Sequence, residues 1–335
     1  MTDALSVSFI RDEARLAALA PQWWGLWQRT PGATPFQTPA WLIPWWRAFK
    51  PGTLLALSVR MGNRLVGLAP FYIEAGEGGE RLLPVGTSIS DYLDVLVDPA
   101  VHHPVLAAIA NAYSRCPERW VEWELTELAL GASSLHMPAP SGCVEGVGTS
   151  AVCPVLPLPD EKVLETAVPA SMRRWLRATR RRIDGHGEAQ VLSTADRAPE
   201  WWIAELWRLH AARWESLGEP GLLRDVRLKV FHRGALPGLA GRKLLRLYAL
   251  VLGESVAGIY YGFQHGRCAY AYLSGFDPAF AYYSPGTFLM GHAIAQAAAE
   301  GAREFHFLRG GESYKHAWGA IDRWNTRRAL WRSVT

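Results

Sequence analysis

Met61-Gly62-Asn63-Arg64-Leu65-Val66-Gly67-Leu68 and, far downstream, Leu252-Gly253-Glu254-Ser255-Val256-Ala257-Gly258-Ile259 read as one hairpin written twice. In each copy a Gly-containing turn joins two apolar runs. These are Leu54 to Arg60 with Leu65 to Ile73 in the first copy, and Leu244 to Leu252 with Val256 to Phe263 in the second. Pro70 places the first return strand near an edge or a bulge, because proline cannot donate to a ladder. Farther along, Val97-Asp98-Pro99-Ala100-Val101 parallels Phe276-Asp277-Pro278-Ala279-Phe280, and Trp120-Val121-Glu122-Trp123 falls where Arg303-Glu304-Phe305-His306 does. Three matches in one order, offset by 191, 179 and 183 residues, indicate an internal duplication of a hairpin–strand–helix–strand unit.

Working outward, the first copy is preceded by helices over 11–29 and Pro39 to Lys50, and continues through a strand at Tyr92 to Val97, a helix at His103 to Cys116 and a strand at Val121 to Leu125. The second begins with a basic helix, Ser171 to Arg182. A long helix, Pro199 to Leu217, follows and ends at Gly218, with another helix within 222–243. After the hairpin come a strand from Cys268 to Leu273, a helix from Ser284 to Glu300 and a strand from Arg303 to Leu308. The fold class is therefore α/β (α+β), two domains each with a mixed, largely antiparallel sheet flanked by helices. The expected domains are 1–150 and 160–335. Gly142, Gly146, Gly148, Pro154, Pro157 and Pro159 point to a linker somewhere in 130–160.

The chain has 335 residues and 49% apolar content, enough for two cores. Its basic residues are almost all arginine, and the formal charge of +4 permits an anionic substrate or cofactor without demanding nucleic acid, which is not expected as a partner. Early charges at Asp3, Arg11, Asp12 and Glu13 argue against a signal peptide, and no apolar run reaches membrane-spanning length, so a soluble, cytoplasmic protein is expected. Cys116, Cys143, Cys153 and Cys268 are scattered and form no metal-ligand spacing, so no disulfide framework and no metal are expected.

Two regions carry chemistry. Tyr283-Ser284-Pro285-Gly286-Thr287 opens the last long helix: Ser284 suits the N-cap, Pro285 the first helical position, and Gly286 and Thr287 put little bulk beside free amides. Free amides and the helix dipole make a seat for phosphate or pyrophosphate. On the same helix His292, Gln296 and Glu300 read as a solvent-facing stripe. The second region, Phe307 to Trp318, follows a strand and gathers Arg309, Glu312, Tyr314, Lys315 and His316, which suit a general base and cations for an anionic group. An ion pair of Glu312 with Arg309 or Lys315, fixing the loop, is the competing structural reading. His210, Arg213 and Trp214 end the long helix and are candidates for a substrate cleft, His210 reading equally as an interfacial histidine; Asp91 and Tyr92 are groove candidates in the first half. Six arginines between Arg173 and Arg182, with no acid among them, suggest an anionic membrane surface or another polyanion as partner.

The blocks Tyr272-Leu273-Ser274-Gly275-Phe276-Asp277-Pro278, Ser284-Pro285-Gly286-Thr287 and Phe307-Leu308-Arg309-Gly310 with Glu312, Tyr314, Lys315 and Trp318 resemble the C-terminal half of the CelD-like acetyltransferases of the GNAT superfamily. That family is similar to the duplicated GNAT folds of the Fem-type peptidoglycan aminoacyltransferases. Phe36-Gln37-Thr38 with Trp41, and Ser90-Asp91-Tyr92-Leu93-Asp94, resemble its N-terminal part. The resemblance implies a GNAT-like fold in each half and places Ser284, Pro285, Gly286 and Thr287 on the loop that holds the pyrophosphate of coenzyme A. Two departures stand out. No basic residue precedes the turn and only one of its usual glycines is present, and His306 and Gly311 replace two carboxylates common around Phe307-Leu308-Arg309-Gly310.

The implied reaction is acyl transfer from acetyl-CoA or another acyl-CoA to an amine or hydroxyl of a small-molecule or glycan-like acceptor. Glu312 is the preferred base, with His210 or His306 as substitutes. Tyr272 or Tyr314 protonates the leaving thiolate, and Arg309 and Lys315 orient phosphate or an anionic acceptor. Asp277 and His306 join Asp91, Tyr92, Arg213 and Trp214 as residues of the acceptor groove. Two alternatives are an aminoacyl-tRNA-dependent Fem-like transferase, disfavoured because aromatics do not interleave with the arginines, and a non-catalytic polysaccharide-assembly or scaffold protein. The duplication is compatible with a monomer or a dimer.

Overall fold

The computed structural model describes residues 4–216 and 225–332, with 213–216 described by their backbone alone. By its contacts the chain divides into two compact units, one of residues up to Ala151 together with those from Trp324 onward, the other Val152–Arg323. The last strand thus ends in the first unit, where a division into consecutive halves does not place it. No helix is long and apolar enough to cross a membrane among the described residues.

The first unit runs β1 (Leu5–Ile10), α1 (Glu13–Ala18), α2 (Ala20–Arg29), α3 (Pro39–Phe49), β2 (Thr53–Leu54), β3 (Ala56–Met61), β4 (Arg64–Ala69), β5 (Phe71–Gly76), β6 (Gly79–Pro84), β7 (Leu96–Val97), α4 (His102–Arg115) and β8 (Trp120–Leu128). One sheet is ordered β1-β3-β4-β7 and antiparallel throughout. Strand β1 was not expected, and the single return strand expected over Leu65 to Ile73 is two. Pro70, with no N–H for the ladder, separates β4 from β5, which pairs instead with β2 and β6. Tyr92 to Val97, read as a strand, is ladder only at Leu96–Val97.

In place of a linker stands a 15-residue strand, β9 (Cys143–Pro157), whose residues from Val152 belong to the second unit. The second unit continues with α5 (Val163–Thr166), α6 (Ala170–Asp184), β10 (Ala189–Ser193), α7 (Pro199–Ser216), α8 (Val226–Gly241), β11 (Leu245–Leu252), β12 (Ser255–His265), β13 (Cys268–Phe276), α9 (Pro285–Ala299), β14 (Glu304–His306), α10 (Ser313–Ala317) and β15 (Ile321–Arg332). Its strands are ordered β10-β11-β12-β13-β14-β9, antiparallel except for the parallel pair β13–β14. The expected end of α7 at Leu217 and Gly218 lies outside the described residues. Beyond Trp324, β15 pairs antiparallel with β8, and Arg327 binds Glu122 and Glu124.

The duplication extends into details the sequence comparison did not use. β1 pairs with β3 as β10 pairs with β11, Val7 facing Val59 and Val191 facing Leu250. The β3–β4 ladder shifts register between Val59 and Arg60, and the β11–β12 ladder between Leu250 and Val251, the same position in both copies. A Cβ on Gly67 would stand 2.4 Å from Val105 of α4, and one on Gly258 2.9 Å from Pro285 of α9. In both units, therefore, glycine on the second hairpin strand lets the helix lie directly on the sheet.

Candidate functional site

β13 and β14 pair only from Cys268 to Tyr270 against Glu304 to His306; β13 then runs on to Phe276 without β14 beside it. The chain leaves β13 through Asp277, whose carboxylate accepts from Ala279 N (3.0 Å) and caps a 3-10 turn over Pro278–Tyr283. Asp277 also meets Arg208 at 3.5 Å, so its capping role is on view where an acceptor-groove role was expected. Ser284 follows in the left-handed region, φ 47°, and makes no side-chain cap, unlike the expected N-cap geometry. Residues before proline are disfavoured in the right-handed helical region, so the helix does not extend back through Ser284.

Helix α9 begins at Pro285, and its first donor is Phe288 N, to Ser284 O at 3.1 Å. The amides of Gly286 and Thr287 occupy the open first turn. Only Phe276 Cδ1, at 4.0 Å, lies within reach of a Cβ built on Gly286. Ser284, Pro285, Gly286 and Thr287 thus share one turn with space beside it, as an anion seat requires.

The arginine-rich helix α6 is not simply a solvated surface. It buries Met172, Thr179 and Ile183 and packs along α9, with Arg180 5.9 Å from the Phe288 ring. Its C-terminal turn borders a cleft of about 450 Å³ formed by Ala178, Arg181, Arg182, Gly185, Tyr282 and Tyr283, next to the first turn of α9. Arg182 donates to Tyr282 O and lies 5.3 Å from the Tyr282 ring. Another helix thus brings two guanidiniums to the turn that leads into Ser284. Sequence reasoning did not bring Arg181 and Arg182 to this turn, since their spacing reports a helix flank but not the partner of that flank.

The catalytic candidates fall into three sets. In the first, Tyr272 is the extra residue of a bulge, because Tyr261 pairs with Leu273 and Gly262 with Ala271. Its ring lies 5.7 Å from His232, 5.4 Å from Tyr261 and 5.6 Å from Phe263. His232, not singled out from the sequence, is wholly buried, and burial pushes its imidazole down to about 3. His210 is buried on α7, which lies on β13 where a Cβ on Gly275 would stand 3.3 Å from the His210 amide.

In the second set, His306 is buried, stacks 5.0 Å from Tyr270 and meets Glu304 at 3.2 Å. Burial lowers its pKa, with Glu304 opposing. The bond from His306, then those from Arg323, holds Glu304 well below the usual carboxylate range. Cys268, facing Glu304 across the parallel ladder, brings a thiol, a carboxylate and an imidazole within 4.8 Å of one another. Ligand spacing along the chain could not show this grouping. Arg323 already neutralises Glu304 through two hydrogen bonds, 2.9 and 2.6 Å.

The third set is the loop after β14. Lys315, expected to orient an anion, is 2% exposed, and its Nζ donates to the carbonyls of Leu308 (3.2 Å), Arg309 (2.6 Å) and Gly310 (3.0 Å) while meeting Glu312 at 2.9 Å. Its donors are spent on the main chain, so it holds the loop, with Leu308 left-handed at φ 61°. The expected Lys315–Glu312 ion pair is present. Burial pushes the Glu312 carboxyl up, but the Lys315 bond and charge bring it below its ordinary value. Glu312, Tyr314 and Arg309 stand on this loop and the short α10, with Tyr314 half exposed.

Asp91 and Tyr92, expected in a groove, are 7% and 5% exposed; Asp91 O accepts from Asn325 and Tyr92 packs on Phe36. The side chains of Arg213 and Trp214 lie outside the described residues.

Residues 170–316 match the model of an acetyltransferase (GNAT) domain. No curated protein matches the chain in sequence. Among solved structures the chain is similar to FemX, at 10% identity, TM-score 0.66 and 96% coverage of both chains. It is also similar to the C-terminal domain of a protein described as a lysylphosphatidylglycerol synthetase of Agrobacterium fabrum, at 10% identity, TM-score 0.58, covering 96% of this chain and 93% of that one. L-PGS of Bacillus licheniformis is similar at 13% identity, TM-score 0.57, with 97% and 93% covered. Residues 170–316 thus match a GNAT acetyltransferase domain, and the chain as a whole shares its fold with FemX and the L-PGS structures.

Proposed function

We propose that the second unit transfers an acyl group from an acyl-CoA to an amine or hydroxyl acceptor. The observation that carries this reading is the turn at Ser284–Thr287, whose two open amides directly follow Tyr282 and Tyr283 of the cleft bordered by Arg181 and Arg182. Amides suit the pyrophosphate, guanidinium forks suit a phosphate, and Tyr282, 68% exposed, offers a face to a base. In the reaction the acceptor gives up its proton, its nitrogen or oxygen bonds to the thioester carbonyl carbon, the C–S bond breaks, and the departing thiolate takes a proton. Tyr272, the extra residue of the β13 bulge, is the preferred proton donor. Glu312, tied to Lys315, and His306, tied to Glu304 and with a lowered pKa, are the base candidates.

Calorimetry of CoA binding to the wild type and to Gly286→Trp tests the donor seat. A Cβ on Gly286 meets nothing closer than Phe276 Cδ1 at 4.0 Å, so folding should be retained, and affinity should fall at least about tenfold. Absence of CoA binding, or binding that ignores this substitution, would contradict the reading.

The fold shared with FemX and the L-PGS structures supports a second reading, an aminoacyl donor carried by tRNA with α6 meeting its phosphates. That donor would bind with a steep salt dependence, lost on neutralising Arg177 and Arg181.

A further inference from the structure

The arginines of α6 occupy two flanks. Arg181 and Arg182 border the cleft at Tyr282 and Tyr283 described above. Arg173, Arg177 and Arg180, at helical spacings of four and three, line a separate cleft of about 400 Å³ between α5, α6 and the side of α9. Its volume falls within the roughly 300–1,000 Å³ of small-ligand sites. The rest of the lining is apolar at Leu164 of α5, at Leu176, which stands among the arginines on α6, and at Ala295 of α9, with Phe288 at one end. His292, expected to face solvent, instead lies edge-on 4.7 Å from Tyr248, half-buried in this lining. Burial, then the Arg180 charge, lowers its pKa, so it adds no cation at neutral pH.

These arginines are only weakly engaged by the protein. Arg173 donates to the Glu165 carbonyl, and Arg180 pairs with Asp184 where both are well exposed, an interaction worth little. Arg177 has no hydrogen-bond or ion-pair partner among the described residues. Glu165 is the one acidic residue of the lining. Three guanidiniums beside an aliphatic lining select for a ligand that is anionic at one end and apolar at the other, and their planar forks favour phosphate. A purely polar anion would leave the aliphatic lining wet, and a neutral chain would leave the cations unused.

We propose that this cleft binds an amphiphilic phosphate, its headgroup held by Arg173, Arg177 and Arg180 and its aliphatic chain laid along Leu164, Leu176 and Ala295. This does not depend on the identity of the acyl donor. The phosphate can belong to a membrane phospholipid or to a soluble chain-bearing phosphate.

The test is calorimetry of the full chain with dihexanoylphosphatidylglycerol below its micelle concentration. Binding should be at least tenfold tighter than for inorganic phosphate or dihexanoylphosphatidylcholine. Arg177→Gln should weaken it about tenfold, Ala295→Trp should abolish it by filling the cleft, and Arg174→Gln, on the outer surface of α6, should leave it unchanged. Flotation on phosphatidylcholine vesicles containing phosphatidylglycerol, lost in Arg177→Gln and Ala295→Trp, would identify a bilayer lipid as the source. Binding of the short-chain lipid without flotation would identify a soluble phosphate. The proposal is overturned by no binding, by equal binding of inorganic phosphate, by equal losses in Arg174→Gln and Arg177→Gln, or by competition from CoA, which would merge the cleft with the donor seat.

Discussion

The two units hold the loop after their last core strand by opposite chemistry. In the first, the half-buried Asp94 carboxylate accepts from the amides of Ser133 and Ser134 and from the Ser134 hydroxyl. In the second, the buried Lys315 ammonium donates to three successive carbonyls. Before the loop both copies carry a left-handed non-glycine residue, Glu127 and Leu308. The helices between these strands differ as well. α4 starts directly after a three-residue turn over Pro99–Val101, whereas α9 is preceded by the longer turn Pro278–Tyr283 and a left-handed Ser284. One scaffold thus carries two elaborations, and in the second a basic cleft borders the turn that leads into the helix.

The largest expected effect is at the second clamp. Lys315→Met leaves three carbonyls and Glu312 without their cation, and should cost about 3–5 kcal/mol, read as a lower denaturation midpoint. Next is the pH response of the first clamp. Burial pushes the Asp94 carboxyl up to about 6, against the pull of the Ser134 and Ser133 bonds. A raised carboxyl contributes stability below its unfolded value, and the contribution is lost as pH rises through 6. Wild type should therefore lose up to about 3 kcal/mol relative to Asp94→Asn between pH 4 and 7 in paired urea denaturation series. Glu304, held far below its ordinary value, runs the other way: its contribution is present above about pH 4.5 and fades on acidification.

Gly67→Val and Gly258→Val should each cost about 1–3 kcal/mol by forcing the helix off the sheet. Of the two, only Gly258→Val should also weaken CoA binding, since it displaces Pro285. The smallest effect is expected for Arg182→Gln, about 1 kcal/mol, or a several-fold rise in the CoA dissociation constant with little change in stability.

Much of this comparison was legible in the chain. The hairpin repeat, the two Asp-Pro-Ala turns and the helix opening at Pro285 all rest on local rules of turns and caps. What escaped was set by distant partners. β9 hides behind the glycines and prolines of 142–159 because a ladder supplied from elsewhere, including β14, makes it a strand. β1 and β10 are short strands whose pairing with β3 and β11 is their clearest mark. The polarity of Lys315 suggested a ligand, but its partners are main-chain carbonyls that no residue type announces. The roles of the arginines of α6 depend on which flank meets α9, and a sequence shows the flanks without the neighbour.

The most direct test of the account is to titrate CoA into isotope-labelled protein and follow the amide resonances of Gly286 and Thr287 in α9 alongside those of His102 and His103 in α4. The account predicts saturable shifts at Gly286 and Thr287, diminished in Arg182→Gln, with α4 unmoved. Shifts at α4, or none at Gly286 and Thr287, would contradict it.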